Sequence, residues 1–567
     1  MCVLNLNMKI YLLILLILFS TICKSQTLLI SVSKNKFGKD ETLSLIVSQI
    51  HNIENYQNIG IYNEIIISFE NNDYRFISNP NYLDYSNSYL IEDLNTLSQY
   101  TLYFTEIPII IINSGNPIID EPKVFANFVY TDQNKTINSN IGIELRGVNS
   151  QNYPKKTYDI EFWEDEIGYE KIDVKFGELR EDDDWILDAL YNEPLRIRSY
   201  IANKLWKEMH TPNYIDYEIE AKSGADVMYV EMFLNGKYNG IYNISEQVDR
   251  KQLKLKKFNG NIRGELYKGI SWGASTFSNL TFYNNSNRIW SGYEFEYPNE
   301  DDITDWNNLY QFTDFVINSS ESDFITNVWT EFNKANFIDY FLFINLIRGT
   351  DNTGKNIYLG KYREDEPYFY VPWDLDGCFG TIWNGTNENI TDDILINGFI
   401  YRVLDENPSN TFTNIASNWF DYRDDIFSLN SLSKSITNIY NFFLENKVYE
   451  RESLVYDNDL FDSQSLSYIL NWLENRLTYL DNYFTNINSY NFTISSIKFK
   501  IYPNPATNKI LISSAKGINN KNFKIFNSLG QIISSGYIKN QQIKIEHLER
   551  GLYYINIGGK SVKMIKN

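Results

Sequence analysis

The sequence predicts an α+β protein, on three observations. Residues 26–104 alternate short apolar runs (Leu28 to Val32, Ile61 to Ile67) with Asn- and Ser-rich breaks, which is the pattern of short strands. Residues 304–318, 431–447 and 463–486 carry apolar positions at three- and four-residue spacing, which is the pattern of helices. Residues 497–567 return to short Lys-rich strands separated by turns and read as a small, separable β-sandwich. The expected boundaries are a leader at 1–25, a β-rich region at 26–104, a body at 105–490 and the tail at 497–567.

Composition narrows the function classes. The 567 residues are 43% hydrophobic and 16% aromatic, enough for a sizeable core in more than one domain. Lys and Arg number 51 against 72 Asp and Glu, a formal net charge of −21, which argues against nucleic acid or an anionic membrane as partner. Three histidines, at 51, 210 and 547, are too few and too scattered for a His-based zinc site or a Ser-His-Asp triad. Lys9, the apolar run Ile10 to Phe19 and the polar stretch to Gln26 read as a secretory signal cut after Ser25. Only Cys378 would remain after that cut, so no intrachain disulfide is expected, and Cys378 reads as a small buried residue. No later run is long and apolar enough to span a bilayer.

The elements of the body follow in order. Ile109 to Ile112 and Val124 to Val129 read as strands. Residues 141–163 read as a strand into Arg146-Gly147, a turn across Asn149 to Pro154, and a second strand carrying Lys155 and Lys156. A basic residue behind a glycine-containing turn suits a phosphate clamp, although two lysines on a solvent-facing edge strand are also a common guard against edge pairing. Glu181 to Trp185 reads as a solvated acidic turn. A helix is expected over 192–210, capped by Asn192, with Arg196 and Arg198 on different faces and at most one of them inward. Tyr229 to Leu234 and Tyr238 to Ile244 form a hairpin across Asn235-Gly236, followed by Glu246. An aromatic, Asn-rich insertion occupies 270–300.

The stretch that carries the chemistry is 333–380. Phe337, Tyr340, Phe341, Ile344 and Ile347 predict a helix with one apolar face, ended by Gly349. A polar loop runs from Asp351 to Asn356. Two strands, Asn356 to Tyr362 and Tyr368 to Trp373, then deliver Asp374 and Asp376. Helix, Asp loop, Asn, hairpin, Asp is also the order in which protein kinases present a catalytic Asp and two metal ligands. Phosphoryl transfer needs a carboxylate to orient the hydroxyl nucleophile and hard oxygen ligands for Mg²⁺. Taken alone, the pair Asp374/Asp376 is also what turns, simple Ca²⁺ loops and nucleotide-sugar transferases contain.

Five ordered stretches resemble the CotH (spore coat protein H) kinase-like family. They are LRGVNSQNYPKKTYDIEF (145–162), DDWILDALYNEPLRIRSYIANKLWKEM (183–209), VEMFLNGKYNGIYNISEQVD (230–249), GELYK (264–268), and FIDYFLFINLIRGTDNTGKNIYL with VPWDLDGCFG. Where that family often has Gly-Asn-Ser-Ser after the arginine, this chain has Gly147-Val148-Asn149-Ser150. The tail, from IYPNPATNKILI to GLYYINIGGKSVKMIKN, is similar to the type A C-terminal sorting domain of the type IX secretion system.

The first resemblance implies an atypical protein-kinase-like body that uses ATP and Mg²⁺ (or Mn²⁺) to phosphorylate Ser or Thr of secreted or surface proteins. Asp351 would be the catalytic Asp, Asn356 and Asp374 metal ligands, and Asp376 their neighbour. Lys156 or Lys155 would bind phosphate with Glu246 as partner. Arg146 and Arg198 fall on further motif positions, and Trp373 would flank the base. The second resemblance implies export from a Bacteroidetes-type bacterium to the cell surface or beyond by the type IX machinery. The alternative reading is a non-catalytic surface binding or adhesion protein that keeps the fold.

Overall fold

The computed structural model describes residues 26–147, 149–456, 463–489, 499–514, 518, 521–527, 531–557 and 560–567; the expected leader lies outside them. Helices and sheets are mixed, with a β-rich start and a β-rich C-terminal region. Two compact units arise. One is Met1–Tyr200 with Asp226–Gln247 and Lys434–Leu466; the other is Ile201–Ala225 with Val248–Ser433 and Ser467–Asn567.

Among the described residues the first unit holds a seven-stranded sheet, a closed barrel and a two-stranded ladder of Val174–Lys175 with Glu181–Asp182. Seven strands order as Thr27–Val32, Glu64–Phe69, Asn72–Phe76, Ser88–Asp93, Gln99–Phe104, Leu45–Ser48 and Phe37–Asp40. A closed barrel then runs Thr136–Leu145, Tyr158–Trp163, Asp184–Asp188, Lys237–Glu246, Val227–Leu234, Ile109–Ser114 and Val124–Thr131. Alternate residues (Ile141 and Ile143, Ile160 and Phe162, Trp185 and Leu187, Tyr242 and Ile244) meet in one core. The hairpin turns at Asn235 (φ 50°) and Gly236 (φ 70°), the left-handed pair that a two-residue turn requires.

Three expectations change here. Glu181 to Trp185 is no solvated turn: Asp182 and Asp183 are buried and Trp185 is fully buried, because strand alternation turns Trp185 into the barrel. The helix near 192 starts at Arg198, and both Arg196 and Arg198 are buried. Glu193 explains this. Its carboxylate accepts the amides of Leu195 (2.9 Å) and Ile197 at the incoming end of the helix and pairs with the Arg198 guanidinium. Finally, Lys155 and Lys156 precede the strand, which begins at Tyr158, and a closed barrel has no edge for them to guard.

Lys155 is instead fully buried against Glu452, 2.7 Å away on the short helix Val448–Ser453. Glu452 also meets Arg196 Nε at 3.3 Å and accepts the Ile241 amide at 2.7 Å. The backbone at Gly240 has φ +80°, and a Cβ there would lie 1.8 Å from the Glu452 carboxylate, so only glycine admits it. Beside it Arg451 pairs with Glu231 at 2.6 Å, and Glu231 accepts hydroxyls from Thr105 and Tyr238.

In the second unit a five-stranded sheet orders as Ile289–Trp290, Tyr293–Tyr297, Glu265–Gly269, Ile357–Lys361 and Tyr368–Pro372. Two of these strands come from the aromatic insertion, whose Phe277, Trp290, Tyr293 and Phe295 are core residues. The helix Lys334–Ile347 is buried from Asn336 to Ile347, so its apolar surface surrounds it and is not confined to one face. The tail pairs Phe499–Tyr502, Lys509–Ser514 and Gln542–Lys544 in one sheet and Asn522–Asn527, Ile532–Tyr537, Gly551–Ile557 and Lys560–Lys566 in another, around one apolar core. Among the described residues no helix is long and apolar enough to cross a membrane.

Replacing Glu452 by Gln leaves Lys155 and Arg196 buried without their counter-charge. We expect a loss of about 3–5 kcal/mol in urea unfolding. A loss under ~1 kcal/mol would show that this cluster is not held by charge pairing.

Candidate functional site

The two strands of the second unit that carry the expected acids pair Ile357 with Pro372 and Lys361 with Tyr368. At the open end the ladder stops: Asn356 and Asp374 both turn into the left-handed region, with φ of 54° and 53°. Asn and Asp tolerate that conformation better than other non-glycine residues. Buried Asn352 holds the open end together, since its amide donates to the carbonyls of Asn356 (2.7 Å) and Trp373 (2.8 Å). The Asn352 main-chain carbonyl accepts the Tyr340 hydroxyl at 2.7 Å, which ties the loop back to the helix Lys334–Ile347.

Asp351 opens a short 3₁₀ turn, Asp351–Thr353, half-buried, with Lys355 Nζ 4.0 Å from its carboxylate. Burial holds the Asp351 carboxyl above the ordinary aspartate range; Lys355 opposes the shift and the charge on Asp374 adds to it. Residues 351 and 374 therefore share one electrostatic environment although a hairpin separates them. Asn356 offers a half-buried carboxamide that takes no hydrogen bond from the described residues. Asp374 is exposed, Asp376 half-buried, and the half-buried Trp373 ring packs edge-on to Tyr358 at 5.8 Å. Cys378 is buried, and its thiol donates to the Leu375 carbonyl at 3.1 Å.

The strand Tyr368–Pro372 is positioned from the helix. Asn336 accepts the Tyr370 amide (2.7 Å) and donates to the Tyr370 carbonyl (2.9 Å), which satisfies the open side of this outermost strand. His210 stands on the other side of that carboxamide (3.0 Å) and pairs through Nδ1 with Asp339 (2.8 Å), which also accepts the Tyr422 hydroxyl (2.9 Å). Asn352, Asn336 and His210 were not expected as site residues. A lone Asn or His in a sequence carries no signal for a partner this distant in the chain.

The basic residues lie in the first unit. Lys156 donates to the carbonyls of Gln151 (2.7 Å) and Tyr153. Arg146 pairs with Asp159 at 2.8 Å, and Arg198 with Glu193. Burial lowers the Lys155 amine to about 8 against the pull of Glu452. The pairing expected between a lysine and Glu246 is corrected: Lys155 takes Glu452, while the buried Glu246 carboxylate accepts the Arg180 amide at 2.8 Å. Glu452 lies 297 residues beyond Lys155, so no local pattern announced it.

Among the described residues, three-carboxylate groups close enough to share an ion occur in the first unit, as Glu161/Asp183/Asp184 and Asp173/Asp182/Asp183. Asp351, Asp374 and Asp376 do not gather that tightly. In the former group burial, with Asp183 and Glu161, pushes the Asp184 carboxyl up to about 7.

Removing the charge on Asp374 should bring the Asp351 carboxyl down toward its ordinary value. Following the Asp351 carboxyl carbon by NMR through a pH titration of metal-free protein, with and without Asp374→Asn, measures this. An identical midpoint in both would show that the two acids do not sense each other.

Comparison with known proteins matches the model of the CotH kinase protein family to residues 143–480. The model of the secretion system C-terminal sorting domain matches residues 500–567, which implies engagement with the type IX secretion machinery and export. Beta-agarase A of Zobellia galactanivorans is 33% identical over 67 residues; the chain spans 12% of that curated relative's length, and the match takes in 12% of this chain. The first family match covers more than half of the 567 residues, and the protein therefore belongs to the CotH kinase protein family, with a secretion sorting domain at its C-terminal end.

Proposed function

We propose that this is a secreted atypical kinase that transfers phosphate from ATP to Ser or Thr hydroxyls of extracytoplasmic proteins. The observation that carries the reading is the joint electrostatics of Asp351 and Asp374 at the end of a hairpin clamped by Asn352. A carboxylate kept partly out of water beside another acid is a stronger proton acceptor than a solvated one.

Asp351 accepts or orients the proton of the incoming hydroxyl. Asp374 and Asn356 would hold Mg²⁺ or Mn²⁺, which when bound supplies positive charge to the phosphate oxygens. The donor set fits such an ion: the oxygens are hard, the Asn356 carboxamide takes no hydrogen bond from the described residues, and a cation would offset the burial and the Asp374 charge that together raise Asp351. Asp376 supports the loop that presents Asp374, and Trp373 offers an aromatic face to the base. Lys156, whose amine ends on the loop carbonyls of Gln151 and Tyr153, is the residue at the position that the family resemblance gives to the phosphate-binding lysine. Lys155 is assigned to the buried pair with Glu452.

Incubation with labelled ATP and Mg²⁺ or Mn²⁺ should label the protein or an added secreted substrate. Asp351→Asn and Asp374→Ala should each abolish labelling while circular dichroism stays unchanged; wild-type rates in either variant would refute the assignment. ATP with Mg²⁺ should also raise the melting temperature above that with Mg²⁺ alone, and no rise would favour a binding protein without catalysis.

A further inference from the structure

The segment after Asp376, residues 379–397, is anchored from two helices of the second unit. From the helix Lys334–Ile347, Ile347 accepts the Phe379 amide (2.8 Å), and Asn345 both accepts the Leu395 amide (2.7 Å) and donates to its carbonyl (3.2 Å). Arg348 ends that helix in the left-handed conformation three residues before Asp351. Its guanidinium holds Asp393 through Nε (3.0 Å) and Nη2 (2.9 Å) and also pairs with Glu388.

The long helix Ser463–Ser489 grips the same segment from positions four residues apart, so Tyr468, Trp472 and Arg476 share one face. Tyr468 donates to Gly380 (2.7 Å), Trp472 to Ile390 (3.2 Å), and Arg476 to Thr391 (2.9 Å) and Asp393 (2.7 Å). Arg476 is fully buried and also donates to Asn345 (2.8 Å), so one guanidinium joins the helix that leads to Asp351 and the segment that follows Asp376. A Cβ at Gly380 (φ +88°) would sit 2.8 Å from the Trp472 ring, and this close approach allows only glycine.

In protein kinases the segment after the metal-binding Asp is commonly ordered only when a phosphate on it pairs with arginine. Here the anionic partners of the arginines are already in the chain, as Asp393 and Glu388. Building on the kinase reading, we propose that Arg348, Arg476 and Asp393 are positioning residues that fix 379–397 without phosphorylation, so that phosphate transfer starts at full rate in newly made protein. The hydroxyl side chains of the segment that reach solvent, Thr386 and Thr391, are then dispensable, whereas the buried Thr381 hydroxyl donates to the Cys378 carbonyl.

Hydrogen–deuterium exchange on full-length protein, shown by mass spectrometry to carry no phosphate, tests the anchoring without using activity. The hydrogen-bonded amides of Thr381, Ile382, Glu388 and Leu395 should be protected. Arg476→Met and Asp393→Asn should speed their exchange by about tenfold or more while the tail sheets stay unchanged. Arg476→Lys and Asp393→Glu should recover part of the protection, which keeps the test decisive if the harsher variants fold poorly. In the transfer assay, Thr386→Val and Thr391→Val together should leave the initial rate within about twofold, and no lag should precede it. A lag abolished by preincubation with ATP and restored by phosphatase, or fast exchange at those hydrogen-bonded amides until phosphate is added, would overturn the proposal. Absence of transfer in every form would refute the kinase reading alone, with the exchange data still deciding the anchoring.

Discussion

A helix buried on every side keeps a polar side chain only when that side chain is fully hydrogen-bonded, because an unsatisfied buried polar group costs about 1–3 kcal/mol. The helix Lys334–Ile347 meets this constraint by gripping its surroundings. Asn336 takes both backbone groups of Tyr370, Asn345 both of Leu395, and Asp339 takes His210 and Tyr422. The strand that delivers Asp374 and the segment beyond it are therefore placed by the solvation needs of one helix. Its C-terminal end, through Arg348 and the loop to Asp351, continues the same arrangement.

The first unit handles charge in the same way. Lys155, Arg196 and Glu452 lie fully buried in one cluster, and Glu231 with Arg451 in another. Such clusters add little net stability over apolar packing, yet breaking one partner is severe, so they impose a unique arrangement on the strands they join. A lysine spent in this way is a structural element. That distinction separates Lys155 from Lys156, which adjacent letters in a sequence do not.

Local patterns were legible wherever the physics is local. Asn235-Gly236 announced its hairpin because two left-handed residues are needed there, and the hairpin ahead of Asp374 followed from two alternating runs around a polar turn. Patterns failed where a distant partner overrides the local preference. Asp182 and Asp183 look solvated until a barrel closes around Trp185, and Arg196 and Arg198 look mutually exclusive until Glu452 takes the one and Glu193 the other in the interior. The central helix looked one-sided from the spacing of five apolar positions, whereas its Asn336, Asp339 and Asn345 are buried grips on the other sides.

By itself the sequence determined the succession of elements, the mixed α and β class, the family, and the order in which Asp351, Asn356 and Asp374 are presented, since these depend on neighbours within a few residues or on motifs in series. Only the tertiary structure decided which charges are partners and which carboxyl is raised. The partner of Lys155 is 297 residues away, and the shift of Asp351 arises from burial and from a charge across a hairpin. Coulombic and desolvation energies depend on distances in space, and a chain read in order does not contain them.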